Sequence, residues 1–279
     1  MGIDPTSPQF TEHLPEDVLF CHSLFSAAQF RRDIGTPAKL ITSLSMLYDL
    51  EDPVAFAQDV ADCLTDDGIW HFEQSYLPYM VQANSYDTIC HEHLTYFTVQ
   101  TVRVILEQVG MHIIDVEFND VNGGSFAVTA RKDRPPGRFS LPDTQNRRTD
   151  EETSPQHLRA FRLRALHHRD ALRSLLEGLH DQGARVGGLG ASTKGSTLLQ
   201  FVGLGQGWLE GIGEVNPQKV GRYTVTGIPI VSESTMRECT HLLVLPWHLR
   251  RSVIEREQRF LADGGHLIFP LPEIEIVSQ

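Results

Sequence analysis

Between Ser85 and Phe97 the chain reads SYDTICHEHLTYF, thirteen residues that carry two histidines, a glutamate, an aspartate, a cysteine and two tyrosines. These are the side chains that move protons near neutral pH, and an ordinary imidazole titrates at about 6.5. A solitary histidine in a polar connector needs no function. His91, Glu92 and His93 in direct succession point instead to acid–base chemistry. If the loop is extended, His91 and His93 face one way and Glu92 the other, so at least one of the three is structural. Metal binding fits poorly: HEHLT is not HExxH, because Thr95 stands where the second ligand would be, and a third ligand has no candidate. Cys90 is a substrate neighbour, a nucleophile or filler; no thiolate-stabilising cation adjoins it in sequence, which favours the neighbour.

A second stretch with chemistry in it is GGLGASTKGST, Gly187 to Thr197, which follows a strand pattern and opens a helix pattern. That arrangement aims backbone N–H groups at an anion. It is not a P-loop, since Lys194 precedes Gly195, and Thr193 occupies the third glycine position of a dinucleotide fingerprint. Two readings stand for it, a tight strand-to-helix turn and a phosphate site held by Ser192, Lys194 and Gly195. EVNPQKVGRY, with Asn216, Lys219 and Arg222 after another strand, would add positive charge beside it, or is simply a solvated turn.

The elements that must position these loops alternate. GIDP reads as the tail of a strand, VLFCHSLF and LITSLSML as two more. A helix is predicted from Asp52 as N-cap and Pro53 at its first position, stopped by Gly68. IWHFEQSYL returns as a strand; after the polar cluster comes a helix over 99–109, then two strands around VNGG, a hairpin signal. His71, Glu73, Gln74 and Tyr76 could line the same site or merely alternate along their strand. Residues 134–155 carry almost no apolar side chains and read as a linker between a unit at 1–133 and a unit at 156–279. The second unit reads as a long helix over 158–179, then strands at ARVGGLG, LEGIGEVN, GIPIV, HLLVLP and HLIFPLP, with helices at KGSTLLQFVG and over 247–261. Both halves are therefore α/β.

Composition narrows the function. With 24 Lys and Arg against 36 Asp and Glu, the net charge of −12 argues against a nucleic-acid footprint. No apolar run is long enough for a membrane span and no secretory signal is legible, so a cytoplasmic protein without a membrane partner is expected. Cys21, Cys63, Cys90 and Cys239 show no zinc-type spacing, and Cys21, Cys63 and Cys239 are expected to be buried thiols.

FEQSYLPYM with NSYDTICHEHLTYF, the NDVNGGSF hairpin, GASTKGSTLLQFVGL, EVNPQKVGRYTVTGIPI, LLVLPWHLR and GGHLIFPLP together resemble the sugar C-methyltransferase family, enzymes that methylate a carbon of nucleotide-linked keto-deoxysugars. The resemblance covers essentially the whole chain. It implies an incomplete Rossmann-like class I methyltransferase domain followed by a second Rossmann-like α/β domain. The first would hold S-adenosyl-L-methionine, with Asp4 on the ribose hydroxyls and Phe25 and Ser43 alongside. The second would hold the nucleotide of a nucleotide-sugar.

The sugar would meet Tyr86, Cys90, Asn122 and Gly123, and the resemblance implies that His93 removes the proton beside the ketone, with Glu92 as its helper. Members of the family usually begin with a zinc-binding domain and a glycine-rich cofactor turn. This chain starts at a segment that resembles the second strand of the sheet, so zinc is not expected, and a shortened N-terminus is the simplest account. A non-catalytic, nucleotide-sugar-binding remnant is the alternative. Where a better-known form of the HEH motif has tyrosine, this chain has Cys90; the missing hydroxyl must come from Tyr86 or Tyr96, or be absent. The sugar, the carbon, the base and the oligomeric state are open.

Overall fold

The computed structural model describes residues 1–6, 18–133 and 153–279. Two short parallel strands, β1 (Gly2–Ile3) and β2 (Phe20–Cys21), pair with each other. Helix α1 (Ala27–Asp33) follows, capped by Ser26, whose Oγ accepts from the Gln29 N–H at 3.2 Å. Then β3 (Ala38–Leu44) leads to α2 (Pro53–Cys63), which starts as predicted: Asp52 accepts the Ala55 N–H at 2.9 Å and Pro53 holds the first position.

The expected stop at Gly68 is corrected. The helix ends at Cys63 and runs straight into β4 (Leu64–Ser75), so Gly68 lies inside a strand. A Cβ there would stand 3.0 Å from the Ala38 carbonyl, and the β3–β4 register shifts at that point, so the glycine serves a strand irregularity. After α3 (Leu77–Gln82) and α4 (Val99–Gln108), β5 (His112–Asn119) and β6 (Ser125–Arg131) form the predicted hairpin. The sheet runs β3-β4-β6-β5.

The linker expected over 134–155 falls, for residues 134–152, outside the described residues. From there α5 (Pro155–Asp181), β7 (Val186–Leu189), α6 (Thr193–Val202), β8 (Ile212–Glu214), β9 (Ile230–Ser232), α7 (Glu233–Met236), β10 (His241–Val244), α8 (Arg250–Arg256), α9 (Gln258–Ala262), β11 (His266–Phe269) and β12 (Glu275–Val277) complete the chain. The sheet order is β12-β11-β10-β7-β8-β9, parallel except for β12. Numbered within this sheet the strands run 6-5-4-1-2-3, the doubly wound order of a Rossmann fold. The single helix predicted over 247–261 is a turn at Trp247–Leu249 and two short helices. Glu257 separates them: its backbone leaves helical angles (φ −94, ψ 17), and its buried carboxylate is gripped by Arg237 at 2.7 Å and Arg256 at 2.9 Å.

The architecture is α/β throughout, with two Rossmann-like sheets. Two compact units divide the chain unevenly: one gathers Met1–Gln74, Leu94–Asn119 and residues 126–133, the other Ser75–His93, Asp120–Ser125 and residues 153–279. The HEH loop and the hairpin tip are thus built into the unit of the second sheet. Among the described residues no helix is long and apolar enough to cross a membrane.

Candidate functional site

The second sheet reverses its winding between β7 and β10, and the loops leaving their carboxyl ends flank the position where such folds bind ligands. The glycines in and around the loop after β7 answer to packing. A Cβ on Gly190, whose φ is +83, would lie 2.7 Å from Pro246 Cδ, one on Gly195 2.9 Å from Leu245 Cβ, and one on Gly188 2.4 Å from Ile212 Cδ1. Ser192 caps α6, its Oγ accepting the Gly195 N–H at 3.0 Å.

The neighbouring strand end is equally engaged. Buried Glu214 accepts from the N–H groups of Ala191 (3.1 Å), Val215 (2.9 Å) and Asn216 (3.0 Å), and lies 3.5 Å from Lys219 Nζ. Those bonds hold its carboxyl below the ordinary range against the opposing effect of burial. A dinucleotide fold keeps an acidic residue near this place for the ribose hydroxyls. Glu214 is saturated instead, and it ties the loops after β7 and β8 together. Lys219 also donates to the Ala191 carbonyl at 2.7 Å, Asn216 Oδ1 accepts the Gln218 N–H at 3.0 Å, and Arg222 is exposed.

Lys194 turns the other way. From the first turn of α6 its Nζ donates to the carbonyl of Asn122 at the hairpin tip. That tip is strained: Asn122 has φ 55, Gly123 φ +88 and Gly124 φ +126. A Cβ on Gly123 would come 2.9 Å from the Trp247 ring and 3.7 Å from His248 Cβ. The Trp247 indole donates to Asp87 Oδ2 at 2.7 Å, and Asp87 is fully buried. Burial pushes the Asp87 carboxyl up while the Lys194 charge pulls it down. Burial also lowers Lys194, and the charges of Asp87 and Cys90 oppose that. So the cation missing beside Cys90 in the sequence is Lys194, brought in by the fold.

His93 sits half-buried at this cluster. Burial and the Lys194 ammonium lower its pKa, opposed by a hydrogen bond to the Thr88 backbone and by Glu92. It is therefore neutral, the form a base requires. The expectation that His91 and His93 share a side is corrected, because the loop is not extended. The His93 N–H reaches back to the Cys90 carbonyl at 3.3 Å, closing a turn that leaves His91 and Glu92 together at its exposed tip, 3.8 Å apart.

Tyr86 is buried beneath the loop, its hydroxyl 2.9 Å from His168 Nδ1, and His168 Nε2 meets the Pro270 carbonyl. Burial raises the phenol far above its ordinary value, so this hydroxyl anchors the loop. Of the strand residues preceding the loop, His71 pairs with Thr129 at 3.0 Å and Glu73 accepts from Asn119 at 2.6 Å. Tyr76 packs edge-on against Tyr79, and the Gln74 amide is buried with no hydrogen-bond partner among the described residues. Cys63 and Cys239 are buried, their thiols pushed up to about 11; Cys21 is only half-buried, because Ser23 and Gln29 hold it near the surface.

In the first unit Asp4, Phe25 and Ser43 lie at or just beyond the carboxyl ends of β1, β2 and β3, the ends at which parallel sheets take ligands. Asp4 is exposed and accepts the Thr6 N–H and hydroxyl at 2.6 Å, so its carboxylate already receives the kind of donors a ribose presents. Phe25 stacks tilted on Phe56 at 5.2 Å, and the Ser43 hydroxyl accepts the Trp70 indole N–H at 3.0 Å.

Two members of the His93 cluster escaped sequence reading, Trp247 and His248. Their only sequence signal is position: LLVLPWHLR puts an aromatic residue and a histidine directly after a strand. His248 is half-buried, its Nδ1 is buried without a hydrogen-bond partner among the described residues, and burial with the nearby Lys194 charge pushes its pKa down to about 4.

Comparison with known proteins matches residues 120–272 to the C-methyltransferase C-terminal domain family. The C-methyltransferase NovU of Streptomyces niveus is 29% identical over 283 aligned positions, covering 99% of this chain and 64% of that protein. The chain thus spans less than two thirds of the length of this relative. Among solved structures, an S-adenosylmethionine-dependent methyltransferase from Mesorhizobium loti aligns with 47% of this chain and 78% of its own at a TM-score of 0.34 and 17% identity. One from Anabaena variabilis aligns with 43% and 61% at 0.35 and 14%.

Proposed function

The chain belongs to the C-methyltransferase family whose C-terminal domain spans residues 120–272, and from that premise we propose that it methylates a carbon next to the ketone of a nucleotide-linked keto-deoxysugar. The observation that carries this reading is His93, a neutral, half-buried imidazole beside a lysine at the ligand-binding end of a doubly wound sheet. His93 takes the proton from the carbon beside the ketone, and the electron pair of that C–H bond becomes the enolate. S-adenosyl-L-methionine, when bound, would supply an electrophilic methyl group to that carbon, its methyl–sulfur bond breaking to leave S-adenosylhomocysteine. The proton on His93 then returns to solvent. Holding the imidazole and the carbon acid in register replaces a bimolecular encounter, which is one part of what such a site contributes.

Glu92 raises the basicity of His93 from the exposed side of the turn. Asp4 would accept the ribose hydroxyls of the methyl donor, with Phe25 and Ser43 beside it. Ser192, Gly195, Asn216, Lys219 and Arg222 mark the strand ends that would meet the nucleotide, and Asn122, Gly123, Tyr86 and Cys90 the surroundings of the sugar. The saturation of Glu214 disfavours a nicotinamide dinucleotide in the same place.

Calorimetric titration of the chain with S-adenosylhomocysteine and, separately, with thymidine diphosphate tests the reading. Both should bind with one-to-one stoichiometry. Binding of thymidine diphosphate alone would mean a nucleotide-sugar-binding remnant without methyl transfer.

A further inference from the structure

Making an enolate demands more than a base. The charge that leaves carbon settles on the ketone oxygen, and preorganised donors at that oxygen are commonly the largest contribution to catalysis. The hydroxyl that Cys90 replaces cannot come from Tyr86, which is buried and bonded to His168. Two groups on other elements converge on the His93 loop instead. Lys194 reaches it from the first turn of α6, with one N–H fixed on the Asn122 carbonyl and its remaining donors available. From the turn after β10, Trp247 bonds Asp87 of that loop, and the adjoining His248, under the influence of the Lys194 charge, carries a buried Nδ1 without a partner among the described residues.

The supporting structure is consistent with a preorganised site. Trp247 is pinned to buried Asp87 at 2.7 Å, which fixes the adjoining His248, and a Cβ added at Gly123 of the hairpin tip would lie 3.7 Å from His248 Cβ. Asp87 and Lys194 each favour the charged form of the other against the effect of burial, and Asp87 Oδ1 makes no hydrogen bond among the described residues. Asp87, Cys90, Glu92, His93, Lys194 and His248 are the titratable groups involved.

We propose that Lys194 and His248 together bind the enolate oxygen, the lysine as a charged donor and the neutral imidazole through Nδ1–H, opposite the base His93. The inference rests on the enolate reading of the function. In the step itself the proton goes from carbon to His93, the C–H electron pair moves into the C–C bond, and the carbonyl pair moves onto oxygen, where the two donors receive it.

Two measurements on the intact chain test it. The first is wash-in of solvent deuterium at the carbon beside the ketone of a thymidine-diphosphate-linked 4-keto-6-deoxyhexose, without methyl donor. Wild type should exchange, and Lys194→Met and His248→Gln should each lose about a hundredfold or more. The double variant Asp87→Asn with Lys194→Met removes both charges together and guards against a folding failure caused by an orphaned buried charge; it should lose as much. Wild-type exchange with variants within threefold of it would overturn the oxyanion pair and leave the enolate reading intact. No wild-type exchange would overturn both.

The second measurement is an imidazole titration by NMR. In Lys194→Met the midpoints of His93 and His248 should both rise while His168, away from the lysine's influence, stays put. Unchanged midpoints would place Lys194 outside the site and overturn the proposal whatever the substrate.

Discussion

At the scale of single residues, the site depends on two histidines kept neutral by their surroundings. Because His93 acts as the neutral form and its pKa is lowered, methyl transfer should hold as pH falls past the ordinary imidazole value of about 6.5 and decline only below it. A pH profile of kcat/KM whose acid limb lies above that value would contradict this. His248 makes a stability prediction with a definite sign. Unfolded, it binds a proton near pH 6.5; folded, only near pH 4, so acidification through that window favours the unfolded chain. Allowing for its partial exposure, about 2 kcal/mol of stability should vanish between those limits and be retained in His248→Gln, read by denaturant melts at each pH. The HEH cluster stands out in the sequence because its residue types and spacing suit acid–base chemistry. His248 and Trp247 do not, since only the fold carries the turn after β10 to the same place as a loop more than 150 residues earlier.

At the scale of elements, the hairpin tip and the turn after β10 hold each other in place. Gly123→Ala meets both a positive φ and a ring 2.9 Å away, whereas Gly110→Ala meets the same backbone strain with nothing within 4 Å. Gly110→Ala should cost about 1 kcal/mol and Gly123→Ala about 2 to 4, with the second also disturbing Trp247 fluorescence. Equal costs would mean the tip is free of the indole. Trp247→Phe strips Asp87 of its donor and should cost about 1 to 3 kcal/mol. Periodicity located most helices and strands because one face of each is buried. It failed where side chains far apart in sequence decide the backbone: Gly68 reads as a helix stop until β3 lies against it, and Glu257 reads as helix interior until Arg237 and Arg256 draw it in.

At the scale of the whole molecule, the proposed function has two Rossmann-like sheets in one chain divide the ligands between them. S-adenosylhomocysteine should slow amide exchange around Asp4 and Phe25, and thymidine diphosphate around residues 190–222; a ligand concentration of 100 times its Kd should stabilise the fold by about 2.7 kcal/mol. Protection appearing in the opposite unit would reverse the assignment. The HEH loop belongs to the unit of the second sheet, an arrangement that contiguous sequence blocks do not display. The central claim, that His93 is the base for carbon methylation, is tested most directly by following a 13C-methyl group from S-adenosylmethionine onto a thymidine-diphosphate-linked keto-deoxysugar with wild type and His93→Ala. The account predicts a new carbon–methyl bond beside the ketone, lost by about a hundredfold to ten-thousandfold in the variant while both ligands still bind. Label on an oxygen, or transfer by His93→Ala within threefold of wild type, would contradict it.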